Sequence, residues 1–391
     1  MRIGIPKEIL PEERRVAVIP DTVARMVKAG MEVWVESGAG KRAYFSDEEY
    51  QRSGARIESR LESLWGEADV VLKVQRPIFD ETRKRHEADL IREKATVIGL
   101  LFPMLYPEII VKLNARKVTA FSLDCLPRIA RAQSMDVLSS MSNIAGYKSV
   151  IMAADALKRL FPMMTTAAGT IPPAKVVVVG AGVAGLQAIA TAKRLGGVVT
   201  AFDTRPVVAE QVKSLGAEFV SLDVPHGQAE DAGGYAKELP PEFYQKEQEI
   251  LRKHTKDADV VITSALIPGR RAPILITEEM LREMKPGSVI VDLAVEQKGN
   301  CTFSEPGNVV THHEVTIIGT LNLPSRVPIH ASQLYAKNVL NFLNHLSPDG
   351  KSIRSDRNDE IIKGALITLN GEIVHPAVKE TAKSKAIAQG V

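Results

Sequence analysis

The chain has 391 residues and a formal net charge of +3, with 45% hydrophobic and 25% charged residues. That length allows two or three domains with substantial cores, and so small a net charge gives no indication of nucleic-acid binding. Two cysteines, Cys125 and Cys301, show no metal-like spacing and favour a reducing compartment. There is no sign of a signal peptide, and the most apolar long stretch, 96–113, is interrupted by prolines and Glu108. We therefore expect neither a metal site nor a membrane span in this sequence.

The beginning of the chain, to about residue 125, alternates between short apolar runs and helical patterns. This alternation predicts a mostly parallel sheet in an α/β domain, Rossmann-like but without a glycine fingerprint. Asp21 is the expected N-cap of the first helix. The predicted strands are 2–6, 31–36, 68–74, 95–101 and 117–123, and the predicted helices are 21–29, 47–54, 58–66, 80–92 and 107–115.

A long apolar helix at 136–161 is predicted to bridge the first domain and a second one. A linker of small residues and prolines, 165–173, precedes the second domain. Its predicted strands are 176–179, 198–202, 218–221, 259–263, 288–292 and 315–318.

The carboxyl-terminal region is predicted to return to the first domain through a helix at 332–345. Asn370-Gly371 between two apolar runs predicts a β-hairpin, and 377–391 is expected to be frayed. The fold class expected is therefore α/β, with two Rossmann-like domains of mostly parallel sheets that are separated by a cleft and bridged by a long helix. The expected domains are 1–135 plus 328–391, and 136–327.

The stretch 176–185 carries the strongest chemical signal, because four valines run directly into a G-x-G-x-x-G pattern. Gly180 would make a tight turn, Gly182 would let the backbone approach a pyrophosphate, and Gly185 would let the helix at 186–195 pack on the strand. The pyrophosphate would bind the free N–H groups at the helix N-terminus. A packing motif is the alternative for such a pattern.

Asp203 stands 18 positions after Gly185, at the end of the next predicted strand. This is close to the spacing of about 20 expected for the acid that binds the adenosine ribose. A carboxylate there accepts a hydrogen bond from the 2′-hydroxyl and repels a 2′-phosphate, so NAD(H) is favoured over NADP(H). Arg205 works against this preference, since an arginine at this edge can also bind a 2′-phosphate.

A second polar stretch, 124–149, joins the first domain to the long helix. On composition alone it can be a polar loop that caps this helix, with Ser134 as N-cap and Asp136 in the first turn. The run Arg128–Asp136, followed by Ser139 and Tyr147, also resembles the signature loop of the α subunit of proton-translocating NAD(P) transhydrogenase. Other segments similar to that family are the glycine stretch, 203–206, 233–237, 263–269, 285–294 and 300–301.

The resemblance extends from Arg2 to about Pro376 and implies a function. In that family the subunit binds NAD(H) and passes hydride to NADP+ held by a β subunit. It implies that this chain is the shorter, soluble form of the catalytic α subunit, a homodimer that works with an NADP(H)-binding β subunit and a membrane-spanning subunit. Such a chain is expected on the cytoplasmic side of the inner membrane as a peripheral protein.

The same resemblance assigns residues to the nicotinamide side of the site. Arg128 and Asp136 would hold the carboxamide, which offers one acceptor and two donors, and Gln133 would lie where the second nicotinamide approaches. These three are the expected catalytic residues. The full set of expected cofactor-binding residues is Arg128, Ile129, Arg131, Gln133, Asp136, Ser139, Tyr147, Gly180, Gly182, Val183, Gly185, Asp203, Thr204, Arg205, Gly234, Tyr235, Ala265 and Leu266.

Alanine dehydrogenase is similar in architecture and gives the main alternative function. That family uses a histidine after an apolar strand and a lysine in a Val-Lys-Glu-Pro motif. Here the strand 97–103 has no histidine, and Gln75 stands where the lysine would fall, while Arg15 can be either functional or structural. Reduction of an imino or keto acid needs a proton donor besides hydride. A non-catalytic NAD-sensing subunit is the third alternative.

A long irregular stretch, 223–245, interrupts the second domain and contains Gly233, Gly234 and Tyr235. Loops of this length are often lids or binding loops, so we expect Tyr235 to cover bound NAD(H). The alternative for this stretch is a disordered insertion.

Overall fold

The computed structural model describes residues 1–221, 240–266 and 271–381. The chain divides into two compact units: the first is Met1–Met141 with Ser325–Val391, and the second is Ser142–Pro324. The strands are β1 (Arg2–Ile5), β2 (Glu32–Glu36), β3 (Arg56–Glu58), β4 (Val70–Gln75), β5 (Phe79–Asp80), β6 (Arg85–His86), β7 (Thr96–Leu100), β8 (Thr119–Ser122), β9 (Met164–Thr166), β10 (Gly169–Ile171), β11 (Lys175–Val179), β12 (Val198–Asp203), β13 (Glu218–Ser221), β14 (Val260–Thr263), β15 (Val289–Asp292), β16 (Val309–His312), β17 (Val315–Ile318), β18 (Leu366–Leu369) and β19 (Glu372–Ile373). The helices are α1 (Pro20–Lys28), α2 (Asp47–Arg52), α3 (Leu61–Glu67), α4 (Pro107–Ala115), α5 (Val137–Ala156), α6 (Val183–Arg194), α7 (Ala209–Ser214), α8 (Pro241–Thr255), α9 (Glu278–Glu283), α10 (Pro328–Leu346) and α11 (Glu360–Ala365).

The sheet of the first unit has the order β19-β18-β8-β7-β4-β1-β2-β3. Its strands from β8 to β3 are parallel, and β18 and β19 extend it in antiparallel fashion. The central strand β4 is buried at every position, as expected for a parallel strand covered on both faces. Since the carboxyl ends of these strands share one edge, side chains distant in sequence meet there.

The sheet of the second unit has the order β13-β12-β11-β14-β15-β17-β16, and only β16 is antiparallel. This order reverses between β11 and β14, which is the switch point at which such sheets bind ligands beyond the carboxyl ends of their strands. The apolar side chains of β11 divide between the two faces of the sheet, with Val176 and Val178 in one core and Val177 and Val179 in the other. The predicted α/β class with mostly parallel sheets is confirmed.

The prediction of a charged helix at 80–92 is wrong. The segment forms the short antiparallel pair β5–β6, followed by a single 3-10 turn. The carboxylate of Asp80 accepts the backbone N–H groups of Thr82 (2.9 Å) and Arg83 (3.0 Å), and Lys84 adopts a φ of +53°. An acid that bonds its own following backbone favours a turn over a helix.

Smaller corrections concern the ends of elements. Helix α1 begins at Pro20, so Asp21 lies in its first turn and Ile19 is the N-cap. Helix α5 ends at Ala156, well before residue 161, and the predicted linker contains the antiparallel pair β9–β10. Helix α10 begins at Pro328, four residues earlier than predicted.

The predicted hairpin at Asn370-Gly371 is confirmed, because both residues have positive φ (+52° and +87°) and join antiparallel β18 and β19. Of the tail predicted to be frayed, residues 376–381 are helical and Val378 is buried. Residues 382–391 lie outside the described residues. None of the described helices is long and apolar enough to cross a membrane.

Candidate functional site

The glycine turn after β11 is built as the sequence predicts, except that its helix begins three residues earlier. Gly180 has a φ of +95°, a conformation that glycine adopts without strain. Gly182 is the N-cap of α6, whose first residue is Val183. The turn therefore directs the unpaired N–H groups of the first helical turn beyond the edge of the sheet, where they can bind an anion.

Gly182 and Gly185 serve different purposes in this turn. A Cβ at Gly185 would lie 1.8 Å from the carbonyl oxygen of Gly180, so the close contact between helix and turn requires glycine there. A Cβ at Gly182 would meet no described atom closer than Nη2 of Arg205, at 3.9 Å. The backbone at Gly182 is thus open, and the turn fits the pyrophosphate of a dinucleotide.

Asp203 ends the neighbouring strand β12 and is only 6% exposed. Its carboxylate accepts the backbone N–H groups of Ala181 (2.7 Å) and Arg205 (2.9 Å). The guanidinium of Arg205 donates from Nε (2.8 Å) and Nη2 (2.9 Å) to the two carboxylate oxygens. The structure therefore brings Asp203 and Arg205 to the glycine turn, with Thr204 between them in sequence.

The segment after β14 forms another side of the same edge. Ser264 donates from its hydroxyl to the carbonyl of Gly180 (3.0 Å). Asn300 clamps Ala265 from both directions, since its Oδ1 accepts the Ala265 N–H (3.1 Å) and its Nδ2 donates to the Ala265 carbonyl (2.9 Å). Ala265 is thus held beside the glycine turn, and Leu266 follows it as the last described residue before 271.

Tyr147 lies on helix α5 and is 44% exposed. Its neighbour Gly146 packs against the first turn of α6, where a Cβ would come within 2.1 Å of the Ala184 carbonyl oxygen. The phenol is therefore next in sequence to the contact between the two helices. Gly234 and Tyr235, and with them the predicted lid, lie outside the described residues.

In the first unit, the predicted nicotinamide residues follow β8 on a 3-10 helix, Ala130–Met135, and on the start of α5. Asp136 is the cap of α5: its two oxygens accept the backbone N–H (2.9 Å) and the hydroxyl (2.6 Å) of Ser139. The composition-based prediction that Ser134 is this cap is wrong. Each carboxylate oxygen of Asp136 has a second lone pair, so the cap leaves capacity to accept from a ligand.

The other side chains of this segment point outward from a fixed backbone. The Ser134 carbonyl accepts hydrogen bonds from Asn338 (2.8 Å) and Asn341 (3.0 Å) of α10, which anchors the segment. Arg128, Arg131 and Gln133 are exposed, and Ile129 is half-buried. The ion pair of Arg131 with Glu360 is 3.7 Å long and exposed, so it contributes little to stability.

A buried charged cluster occupies the carboxyl edge of the sheet in the first unit. Arg15 donates to both carboxylate oxygens of Glu13 (2.8 and 2.6 Å), and Gln75 donates to the same carboxylate (2.9 Å). Lys73 lies 2.9 Å from Glu87 and 3.4 Å from Glu8. Burial raises the pKa of Glu8 to about 7, although Lys73 lowers it. All these charges are inside the protein, so the cluster is paired internally.

Both halves of the chain match known protein families. The family model for the N-terminal domain of alanine dehydrogenase/PNT matches residues 4–145, and the model for its C-terminal domain matches residues 149–376. The chain belongs to the alanine dehydrogenase/PNT family.

Within the alanine dehydrogenase/PNT family, the chain is more similar to transhydrogenase subunits than to alanine dehydrogenases. It is 51% identical to the first of the separate chains of NAD(P) transhydrogenase subunit alpha of Rhodospirillum rubrum over 380 residues, which cover 97% of this chain and 99% of that protein. The structure of transhydrogenase from Sinorhizobium meliloti superposes with a TM-score of 0.83 at 43% identity, covering 96% of this chain and all of that chain (100%). A structure of L-alanine dehydrogenase superposes equally well, with a TM-score of 0.82, but at 27% identity over 98% of this chain and 99% of that chain. The resemblance inferred from the sequence is confirmed.

Several residues that support the site were not predicted to belong to it. Asn300 holds Ala265, and it is oriented by the buried carboxylate of Asp292, which accepts its backbone N–H (2.8 Å). Asp292 also accepts from the Thr263 hydroxyl (3.0 Å). Both residues fall in segments that resemble the transhydrogenase family, which was the available signal. Glu247, buried near Asp203, had none, because its position depends on the packing of α8.

Proposed function

We propose that this chain is the NAD(H)-binding catalytic subunit of an NAD(P) transhydrogenase. It exchanges hydride directly between its own NAD(H) and NADP(H) bound by a partner β subunit. The observation that carries the proposal is the 51% identity to a chain of transhydrogenase subunit alpha over nearly the full length of both proteins. The open backbone at Gly182 and the carboxylate of Asp203 support NAD(H) as the bound nucleotide.

The residues present suit a transfer that needs little acid–base chemistry. Hydride transfer between two nicotinamides moves no proton at the reacting carbons, so the protein has to position the rings and exclude water. We assign the carboxamide of the bound NAD(H) to Arg128 and Asp136. Gln133 is exposed on an anchored segment and is assigned to the approach of the second nicotinamide. Arg15, which an amino-acid dehydrogenase would need for its substrate, is instead bonded to Glu13.

The function is tested by adding NADH, an NADP+ analogue and the partner NADP(H)-binding subunit, and separately NAD+ with alanine. We expect turnover only in the first mixture. Turnover of alanine would favour the amino-acid dehydrogenase alternative. NADH binding without turnover in either mixture would favour an NAD-sensing subunit.

Replacement of Gln133 by alanine should slow hydride transfer by about 10- to 100-fold, the range expected when reacting groups are misplaced. NADH affinity should stay within about twofold, because the side chain is assigned to the second ring. Gln51→Ala is the matched control, since Gln51 is also exposed but lies on α2. Equal rates for the two variants would exclude Gln133 from the transfer site.

We also propose that the chain forms a homodimer, through the β9–β10 hairpin, and that this dimer joins the β subunit and a membrane-spanning subunit on the cytoplasmic side of the membrane. All residues of the two hairpin strands are exposed, and Met163, Met164 and Ile171 are 64%, 42% and 45% exposed. An isolated two-stranded hairpin is marginally stable, so contact with a second copy would stabilise it.

Replacement of Met163, Met164 and Ile171 together by serine should convert the dimer into a monomer. Light scattering should then give half the mass of the unsubstituted protein at the same concentration. Substitution of Val309, which is 60% exposed on the edge strand β16, is the control and should leave the dimer intact. An unchanged mass for the triple variant would place the dimer interface elsewhere.

A further inference from the structure

We propose that Arg205 is a specificity-determining residue that is held inactive by Asp203, and that this pairing is what excludes NADP(H) from the site. The inference rests on the proposed NAD(H) binding and assigns the discrimination to a pair of side chains. Asp203 alone, as an acceptor for the ribose hydroxyl, does not account for the arginine two positions later.

The guanidinium of Arg205 lies beside the glycine turn. Its Nη2 is the described atom nearest to the open side of Gly182, at 3.9 Å from where a Cβ would stand. The same Nη2 lies 2.9 Å from Asp203. The guanidinium is therefore next to the turn that would hold the pyrophosphate, within the region of the adenosine ribose.

The hydrogen bonds between Arg205 and Asp203 occupy the donors that a phosphate would need. A guanidinium binds phosphate best when two of its N–H groups point at two oxygens. In Arg205 that geometry is used on Asp203, since Nε and Nη2 bond to its two oxygens at 2.8 and 2.9 Å. Asp203 is itself fixed by the Ala181 N–H at 2.7 Å. The arginine is thus oriented by a rigid acceptor and its charge is neutralised.

A second carboxyl group strengthens the exclusion. Glu247 of α8 is 8% exposed, and burial together with the charge of Asp203 raises its pKa to about 7. This effect requires Glu247 to lie near Asp203. A 2′-phosphate would therefore meet two carboxyl groups and one arginine that is already paired. The remaining space suits a neutral ribose hydroxyl.

The experiment measures NADH and NADPH dissociation constants of the full-length chain by titrating nucleotide fluorescence. Asp203→Asn removes the charge but keeps an oxygen that can accept the Ala181 N–H, so it should fold. We expect it to bind NADPH about tenfold more tightly and NADH about tenfold more weakly, each equivalent to about 1.4 kcal/mol. In Asp203→Asn combined with Arg205→Ala, the gain for NADPH should be lost. Glu247→Gln should give a smaller gain for NADPH, about threefold, because the guanidinium remains paired.

An equal NADPH gain with and without Arg205 would overturn the inference, and so would the absence of any gain in Asp203→Asn. Arg205→Ala alone should leave NADPH binding weak, and a gain there would also contradict it. Melting curves confirm that each variant is folded, and Asp203→Ala serves as a second removal of the acid. If the unsubstituted chain bound neither nucleotide, the proposed function would fail as well. If it bound NADH normally while the variants behaved otherwise than expected, only the inference would fail.

Discussion

Gly185→Ala is expected to destabilise the unit formed by 142–324 severely, although it adds a single methyl group. The new Cβ would lie 1.8 Å from the carbonyl oxygen of Gly180 and 2.8 Å from its carbon. Neither atom can move away easily, because the Gly180 N–H bonds to the Phe202 carbonyl (2.8 Å) and its own carbonyl accepts from Ser264 (3.0 Å). We expect the free energy of unfolding to fall by at least about 3 kcal/mol, the upper range for overpacking. The melting temperature should drop by about 6–12 °C for a unit of this size.

Gly182→Ala is the matched control, and it should separate binding from folding. Gly182 has a φ of −73° and a ψ of −168°, which any residue adopts, and its Cβ would have described neighbours no closer than 3.9 Å. The melting temperature should therefore stay within about 2 °C. NADH should bind at least about tenfold more weakly, because the methyl group fills the space assigned to the pyrophosphate.

The two glycine variants can fail independently of each other. Normal folding of Gly185→Ala would mean that helix α6 can shift away from the turn, against the contact that the structure shows. Normal NADH binding by Gly182→Ala would mean that the pyrophosphate does not pass over this residue. Thermal unfolding and nucleotide titration on the same samples distinguish these results.

The glycine turn shows how much of this protein could be predicted from its sequence. The positive φ of Gly180 and the close contact of Gly185 follow from local rules about what a turn between a strand and a helix requires. The central strands could also be predicted, since runs such as 176–179 are too apolar to lie anywhere but between two covered faces. The Asn370-Gly371 hairpin is likewise local.

The pairings of charged side chains could not be predicted, because they depend on what surrounds each residue. Asp203 and Arg205 lie two positions apart, and nothing in the sequence distinguishes a paired arginine from one that binds phosphate. The charged pattern at 80–92 fits an exposed helix as well as it fits a turn. Only the hydrogen bonds of Asp80 to the next backbone groups decide between them. Asp136 had both a capping and a binding interpretation, and the structure shows the cap without excluding the ligand.

Arg15→Met is expected to destabilise the first unit far more than removal of an exposed charge. The side chains of Arg15 and Glu13 are 2% and 0% exposed, and their closest oxygen–nitrogen distance is 2.6 Å. Burial lowers the pKa of Arg15, but the Glu13 carboxylate outweighs this and raises it, so the pair is charged. Removal of one partner from such a pair leaves a buried charge and typically costs about 3–5 kcal/mol. Denaturant unfolding should show this loss.

Two further variants make this expectation specific. Arg14→Met, at the adjacent position, removes an arginine whose ion pair with Glu12 is 3.5 Å long and exposed on both sides, so stability should change by less than about 0.5 kcal/mol. Glu13→Leu combined with Arg15→Met removes both charges and should be more stable than Arg15→Met alone, since no carboxylate is left without its partner. If Arg15→Met unfolded like the unsubstituted protein but lost an activity toward amino acids, Arg15 would be a substrate ligand. Its pairing with Glu13 instead makes stability, and not substrate binding, the property that Arg15 controls.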